Sequence, residues 1–148
     1  MDEMGDDLNR DFAAIVVVLS PQGVPMVRDT SGKFRLPYLK FPGGRRKGME
    51  TPEECGVREL EEETGVKVLK ESLILLKKED RVDHMFYIFA VRLESLPKRK
   101  HVGNEGEDVG VFSLIGLKER GDVFPKHWKI PEVQTFLYGS QVAPVCST

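Results

Sequence analysis

Runs and periods of apolar residues divide the chain into strands and helices. The β-branched run Phe12–Leu19 predicts a buried strand. The turn residues Ser-Pro-Gln-Gly follow it, and Val24–Arg28 is then expected to return as its hairpin partner. Further extended segments are expected at residues 39–41, 73–77, 84–93 and 109–114. The pattern of Pro131–Tyr138 indicates a closing helix.

One helix has well-marked ends. Thr51 is a suitable N-cap, Pro52 suits the first helical position, and Glu54 completes the pattern of a capping box. Gly65 is a suitable C-terminal cap because glycine adopts the left-handed conformation without strain. The sequence therefore predicts a helix over Pro52–Thr64.

This helix is expected to have two different faces. An apolar stripe that can pack on the core is formed by Val57, Leu60 and Thr64. On the opposite side, Glu59, Glu62 and Glu63 fall within an arc of about 100°. Like charges at this spacing repel each other, and Mg²⁺ is a cation that would compensate them. A solvated acidic surface is the alternative interpretation.

The helix belongs to a longer pattern over residues 44–66. It consists of Gly44, five residues, Glu50, seven residues, and the run Arg-Glu-Leu-Glu-Glu-Glu-Thr-Gly-Val. The pattern matches the Nudix box, G-x5-E-x7-R-E-U-x-E-E-x-G-U with U aliphatic, at every defined position. The chain therefore resembles the Nudix hydrolases, and within them the MutT-like members.

The resemblance implies an architecture. Family members fold as an α/β/α sandwich of the α/β (α+β) class, with a mixed sheet and a catalytic loop-helix-loop. A chain of 148 residues suits one domain. We expect that domain at residues 12–139, between a flexible acidic leader at residues 1–11 and a C-terminal tail at residues 140–148.

The resemblance also implies a metal-dependent site. Mg²⁺, with Mn²⁺ as a possible substitute, would be held by the carboxylates that match the family ligands and by one backbone carbonyl. These ligands are Gly44, Glu59, Glu62, Glu63 and Glu105. Arg58 and Glu50 match residues that brace the carboxylates. The metals would neutralise diphosphate oxygens and activate a water molecule.

The general base is left open between two glutamates. Glu105 matches a loop glutamate of MutT-type members that reaches the site, with Glu107 as the alternative match. A nearby metal depresses the pKa of a carboxylate and makes it a weaker base. A carboxylate at the edge of the metal cluster is therefore a better general base than one at the centre of the cluster. Glu63 and Glu105 both fit this position. The residues expected to act in catalysis are Arg58, Glu62, Glu63 and Glu105.

Substrate contacts are less well marked. Arg45 and Arg46, followed by Lys47, are expected either to bind substrate phosphates or to remain solvated. Tyr87 is expected first as a strand and core residue, and alternatively as a ring that stacks on a nucleobase. The family resemblance implies a small nucleotide as the substrate.

Composition limits the other partners. The formal net charge of -2 provides no basic field for a stable nucleic acid complex. The apolar run Phe12–Leu19 is too short to span a membrane, and the polar start of the chain is unlike a signal peptide. The two cysteines do not suggest a disulfide framework. We expect a cytoplasmic monomer or homodimer.

Three functions remain open at this point. The first is metal-dependent hydrolysis of nucleoside triphosphates, of the MutT type. The second is hydrolysis of ADP-ribose or of a dinucleoside polyphosphate. The third is a non-catalytic Nudix-fold regulator, which the complete set of box glutamates disfavours.

Overall fold

The computed structural model describes residues 10–28, 38–97, 102–104 and 108–139. Most of the expected leader, the expected tail, and both loop glutamates, Glu105 and Glu107, lie outside these ranges.

A four-stranded mixed sheet forms the centre of the molecule. Its strands, in chain order, are β1 (Phe12–Leu19), β4 (Gly43–Arg45), β5 (Ile74–Asp80) and β6 (Met85–Arg92). They lie in the order β4-β1-β6-β5. The central pair, β1 and β6, is parallel, whereas β4 and β5 run antiparallel to their neighbours. The mixed sheet that the family resemblance implied is therefore present.

A second, three-stranded sheet corrects one expectation. It consists of β2 (Val24–Arg28), β3 (Leu39–Lys40) and β7 (Asp108–Phe112), in the order β3-β2-β7. The turn between β1 and β2 closes through two backbone hydrogen bonds between Ser20 and Gly23. Beyond this turn, β2 pairs with β3 and β7, so the prediction that it is the hairpin partner of β1 was wrong.

The helices are of unequal length. The longest is α1 (Pro52–Thr64), and α4 (Pro131–Tyr138) closes the domain; both have the predicted bounds. The sequence did not predict three short helical elements. These are a 3-10 turn (Lys70–Ser72), α2 (Leu114–Lys118) and α3 (Pro125–Trp128). No helix in the described ranges is long and apolar enough to cross a membrane.

The central sheet is covered on both faces, which explains why β1 and β6 are almost continuously apolar. Successive side chains of a strand point to opposite faces, so each of these strands contributes to two cores. One core lies under α1 and includes Val16 and Phe89 of the sheet with Leu60 of the helix. The other core includes Val17 and lies between the sheet, α4 and the three-stranded sheet.

Both ends of α1 have the predicted caps. The Thr51 hydroxyl accepts a hydrogen bond from the Glu54 backbone N–H, and the Glu54 carboxylate accepts one from the Thr51 N–H. At the other end, Gly65 has a φ of 80° and donates to the carbonyl of Glu61. The caps satisfy backbone groups that have no partner within the helix.

The buried face of α1 differs from the prediction at its N-terminal half. Leu60 and Thr64 are buried as expected, but Val57 is only partly buried and faces away from the sheet. Gly56 takes its place, because a methyl group there would lie 3.1 Å from Val16 Cγ2. The glycine therefore allows the helix to approach β1 closely.

Candidate active site

Two glycines bring the backbone of β4 against its neighbours. A side chain at Gly43 would collide with the carbonyl of Ala14 in β1, and a side chain at Gly44 would collide with the carboxylate of Glu59. The Gly43 N–H donates a hydrogen bond of 3.0 Å to Glu63 Oε1. The absence of two side chains thus lets the main chain lie directly beside two of the carboxylates on α1.

The guanidinium of Arg58 is the centre of the site. Nε and Nη2 donate to the two carboxylate oxygens of Glu50, at 2.9 and 2.7 Å. Nη1 donates to Glu59 Oε2 and Glu62 Oε1, both at 3.1 Å, and Nη2 also reaches the carbonyl of Arg45. One cation therefore links the loop to three carboxylates, as a planar guanidinium with five donors can.

Glu50 closes the loop that leads into α1. Its Oε1 accepts a hydrogen bond of 2.8 Å from the backbone N–H of Lys47. The hydrogen bonds from Arg58 are the largest influence that holds the pKa of Glu50 below its usual value, and this backbone donor adds to it. Glu50 is therefore ionised at neutral pH, as a brace for Arg58 requires.

Glu59 is a desolvated carboxylate of the acidic face, more buried than Glu62. Its side chain is only 13% exposed. Burial raises the pKa of Glu59, and the repulsion of Glu62 adds to this rise, while Arg58 opposes it. The carboxylate therefore lies where additional positive charge would stabilise its ionised form.

Cys55 is a site residue that the sequence did not single out. Its thiol lies beneath the loop, 3.6 Å from the carbonyl oxygen of Gly44 and 3.9 Å from Nη2 of Arg58. Burial raises the pKa of this thiol to about 12, so it is a neutral packing group rather than a nucleophile. Its place in the box has no defined residue type, which is why the motif gave no signal.

The three α1 carboxylates share one face but do not surround a common point. Glu59 and Glu62 turn toward Arg58, and Glu63 turns toward Gly43. Within the described residues, no three acidic, histidine or cysteine side chains form a cluster that could hold a metal ion. Arg58 thus makes hydrogen bonds to one carboxylate oxygen of Glu59 and to one of Glu62.

A loop residue contacts the C-terminal turn of α1. The backbone N–H of Asn104 donates a hydrogen bond of 3.1 Å to the carbonyl of Glu62. That carbonyl is one of the last four of α1, which lack partners within the helix. Asn104 directly precedes Glu105, so the described chain is held at the C-terminal end of α1 immediately before the loop glutamate that the family resemblance singled out.

The residues considered for substrate contact have partners within the protein. Arg45 forms a 2.8 Å ion pair with Asp11, and the guanidinium of Arg46 lies 5.1 Å from the ring centre of Phe12. Tyr87 is buried under α1, where its ring packs against Phe12 and Phe89. The pair of Arg45 with Asp11 is about half exposed, at 54% and 52%, so contact of Arg45 and Arg46 with substrate phosphates, and of Tyr87 with a nucleobase, stays a prediction.

Comparison with known proteins identifies the family. The NUDIX domain model matches residues 9–132, which is most of the chain. The chain belongs to the Nudix family. Over 90 residues, this Nudix chain is 39% identical to the 8-oxo-dGTP diphosphatase of Escherichia coli (strain K12). That match covers 59% of this chain and 65% of the relative, so it spans slightly less than two thirds of the relative's length.

Solved structures agree with this assignment at the level of the fold. A structure from a study of MutT from Aliivibrio salmonicida and Vibrio cholerae has a TM-score of 0.67 at 23% identity, and covers 87% of this chain and 98% of its own. A Francisella tularensis bifunctional NMN adenylyltransferase/ADP ribose pyrophosphatase, complexed with AMP and a Mn ion, has a TM-score of 0.66 at 21% identity. It covers 86% of this chain and 41% of its own. The chain therefore has the Nudix fold, and hydrolases of this family use divalent metals.

The chemistry of the donors in this Nudix chain fits a hard divalent cation. Glu59, Glu62 and Glu63 supply carboxylate oxygens, and Gly44, which lies against the Glu59 carboxylate, supplies a backbone carbonyl oxygen. Hard cations prefer oxygen ligands of these kinds. Because three carboxylates share this face with one guanidinium, a cation would also reduce their mutual repulsion.

Proposed function

We propose that this protein hydrolyses nucleoside triphosphates at a diphosphate linkage, with Mg²⁺ as the cofactor and Mn²⁺ as a substitute. The observation that carries the proposal is the Arg58 network, in which one guanidinium fixes Glu50, Glu59 and Glu62 beside the bare backbone of Gly44. The partial match to an 8-oxo-dGTP diphosphatase supports the substrate class.

In this proposal the metal is held by Glu59, Glu62, Glu63 and the carbonyl of Gly44. When bound, the divalent cation neutralises charge on the diphosphate and acidifies a water molecule. Arg58 has a positioning role, since it already makes hydrogen bonds to three carboxylates and has little capacity left for a phosphate.

The proton acceptor is one of two glutamates. Glu63 lies on the acidic face, where its Oε1 accepts a hydrogen bond from the Gly43 N–H. Glu105 follows Asn104, which is hydrogen-bonded to Glu62. Loss of either carboxylate is expected to reduce kcat. Loss of the base should be distinguished by a changed pH profile of kcat. If Glu63 is the base, this change should come with weaker Mn²⁺ binding, because Glu63 also holds the metal in this proposal.

The substrate assignment is tested by a panel. Each candidate substrate is incubated with enzyme and Mg²⁺, and its products are identified by mass spectrometry. The panel consists of nucleoside triphosphates, 8-oxo-dGTP, ADP-ribose, a dinucleoside polyphosphate and coenzyme A. The proposal expects a triphosphate to give a nucleoside monophosphate and pyrophosphate, with one ¹⁸O atom incorporated from labelled water. Turnover confined to ADP-ribose or to the dinucleoside polyphosphate would contradict the triphosphate assignment and support the second candidate. Binding without turnover of any member would favour a regulator.

A further inference from the structure

The thiol of Cys55 contacts two groups of the proposed metal site. Cys55 lies in the N-terminal half of α1, and its side chain is completely buried. The sulfur lies 3.6 Å from the carbonyl oxygen of Gly44 in β4 and 3.9 Å from Nη2 of Arg58. One small side chain therefore lies between the proposed backbone ligand and the arginine that fixes the carboxylates.

The two hydrogen bonds of the thiol run in opposite directions. A guanidinium has only donors, so the sulfur accepts from Arg58. A carbonyl has only an acceptor, so the thiol hydrogen is donated to Gly44. Burial raises the pKa of the thiol to about 12, and this hydrogen is therefore present at neutral pH. The thiol thus connects the Arg58 network to the main chain of β4.

Glu50 is a competing acceptor for the thiol hydrogen. Its charge adds to the rise in the pKa of the thiol, after the larger effect of burial. The Glu50 carboxylate already accepts three hydrogen bonds, two from Arg58 and one from the backbone N–H of Lys47. The thiol is directed instead at the carbonyl oxygen of Gly44.

The contact depends on a residue type that the box does not define. An alanine at position 55 would have no polar atom and could make neither hydrogen bond. The neighbouring Gly56 lets α1 approach β1 closely, so a side chain at position 55 reaches the backbone of β4, the next strand of the sheet. The thiol is therefore a feature of this chain rather than of the motif.

We propose that Cys55 is a positioning residue for the metal, whose thiol holds the Gly44 carbonyl in place and connects it to Arg58. The inference rests on the proposed function, because it takes Gly44 as a metal ligand. Groups that hydrogen-bond to a metal ligand fix its orientation. A thiol is a weak donor, so it restrains the carbonyl oxygen without preventing that oxygen from binding a hard cation.

Mn²⁺ affinity, measured by calorimetry without substrate, tests this role in two variants. Cys55→Ala removes the donor and should bind Mn²⁺ about tenfold more weakly than wild type. Cys55→Ser keeps a donor and should stay within about threefold of wild type. The order of the two variants separates positioning from packing. If Cys55 only filled space, serine would be the worse replacement, because its hydroxyl would be buried without a useful partner.

Val91→Ala is the matched control for a loss of packing. Val91 is buried in the same core as Cys55, but it pairs with Val18 near the end of β1, whereas Gly44 pairs with Ala14. We expect the control to have a lower melting temperature and wild-type Mn²⁺ affinity. A loss of affinity like that of Cys55→Ala would attribute both losses to packing and overturn the inference.

The S–H stretching band in the infrared reports on the thiol directly and needs no turnover. The chain has two cysteines, so Cys146→Ser leaves Cys55 as the only thiol. Hydrogen bonding weakens the S–H bond, and the band of metal-free protein should lie below that of a free thiol. Mg²⁺ bound to the same carbonyl oxygen should shift the band, whereas Na⁺ at equal ionic strength should not. Because the measurement uses Cys55 itself, it remains decisive even if Cys55→Ala is unstable.

The failure of this inference can be distinguished from failure of the proposed function. If wild type binds Mn²⁺ and Cys55→Ala binds it equally well or more tightly, the thiol does not position a ligand. An S–H band at the position of a free thiol, or one that Mg²⁺ leaves unchanged, would also overturn the inference. A wild-type protein that binds no Mn²⁺ would instead overturn the proposed function, and the inference with it.

Discussion

Arg58 and Glu50 form a bidentate ion pair between α1 and the loop that precedes it. The distance from Nε to Oε2 is 2.9 Å and that from Nη2 to Oε1 is 2.7 Å. Both side chains are largely buried, at 21% and 15% exposure. This geometry uses the planar fork of arginine, and it leaves Nη1 directed at Glu59 and Glu62. The pair therefore connects the conformation of the loop to the positions of two proposed metal ligands.

Replacement of Arg58 by lysine tests this connection. Lysine keeps the charge but cannot make two parallel hydrogen bonds to Glu50 while it also reaches Glu59 and Glu62. We expect Arg58→Lys to fold normally, to bind Mn²⁺ more weakly, and to lose about tenfold to 100-fold in kcat. Mn²⁺ affinity measured without substrate is the decisive value. A wild-type affinity together with a raised KM would instead indicate a direct contact between Arg58 and substrate phosphate.

Gly44 offers a test that changes no charged group. The methyl group of alanine at this position would collide with the Glu59 carboxylate, so Gly44→Ala should displace Glu59 from the backbone. We expect a loss of at least about 100-fold in kcat and weaker Mn²⁺ binding. Gly121→Ala is the matched control, because no atom lies within 4 Å of the added methyl group there and its φ is not positive. Equal activity of the two variants would refute the close packing of Gly44 on Glu59.

The burial of His127 predicts how the stability of the folded protein depends on pH. Its ring stacks on Phe86 at a centroid distance of 5.0 Å, and within the described chain its buried Nδ1 has no hydrogen-bond partner. Burial, reinforced by Arg81 and Lys40, lowers the pKa of His127 to about 4 from its usual 6.5. Between these values the unfolded chain binds more protons than the folded one, so stability is lost as the pH falls through this window.

The variant His127→Phe should remove this loss. Relative to wild type, its free energy of unfolding should rise by roughly 2 kcal/mol between about pH 7 and about pH 4.5, measured by urea denaturation. A difference between variant and wild type that stays constant over this range would show that His127 titrates normally in the folded protein.

The sequence was most informative where structure depends on neighbouring residues. Thr51, Glu54 and Gly65 determine the ends of α1 through contacts within one turn, and the helix has the predicted bounds. The pairing of β2 could not be predicted in the same way, because both of its partners are distant in sequence. A turn such as Ser20–Gly23 constrains the direction of the chain locally, but burial decides which sheet the next strand joins.

In the candidate site, too, contacts between residues close in sequence could be predicted and contacts between distant residues could not. The i, i+4 spacing of Arg58 and Glu62 predicted a contact that is present at 3.1 Å. Spacing alone did not reveal that the fork of Arg58 is directed at Glu50, which lies in the preceding loop. The contact of Asn104 with α1 is a tertiary hydrogen bond to a main-chain carbonyl, for which side-chain patterns carry no signal. The strand β4 was missed because glycine is depleted in strands.

The central claim is that the acidic face of α1 holds the metal and performs the hydrolysis, and two adjacent glutamates test it most directly. Glu62 belongs to the Arg58 network, whereas Glu61 points away from it, into an exposed pair with Lys67. In Glu62→Gln we expect kcat to fall by about 100-fold or more and Mn²⁺ affinity to fall with it. In Glu61→Gln both values should remain close to those of wild type. Equal, near-wild-type kcat and Mn²⁺ affinity in the two variants would contradict the claim and make the acidic face an ordinary helix surface.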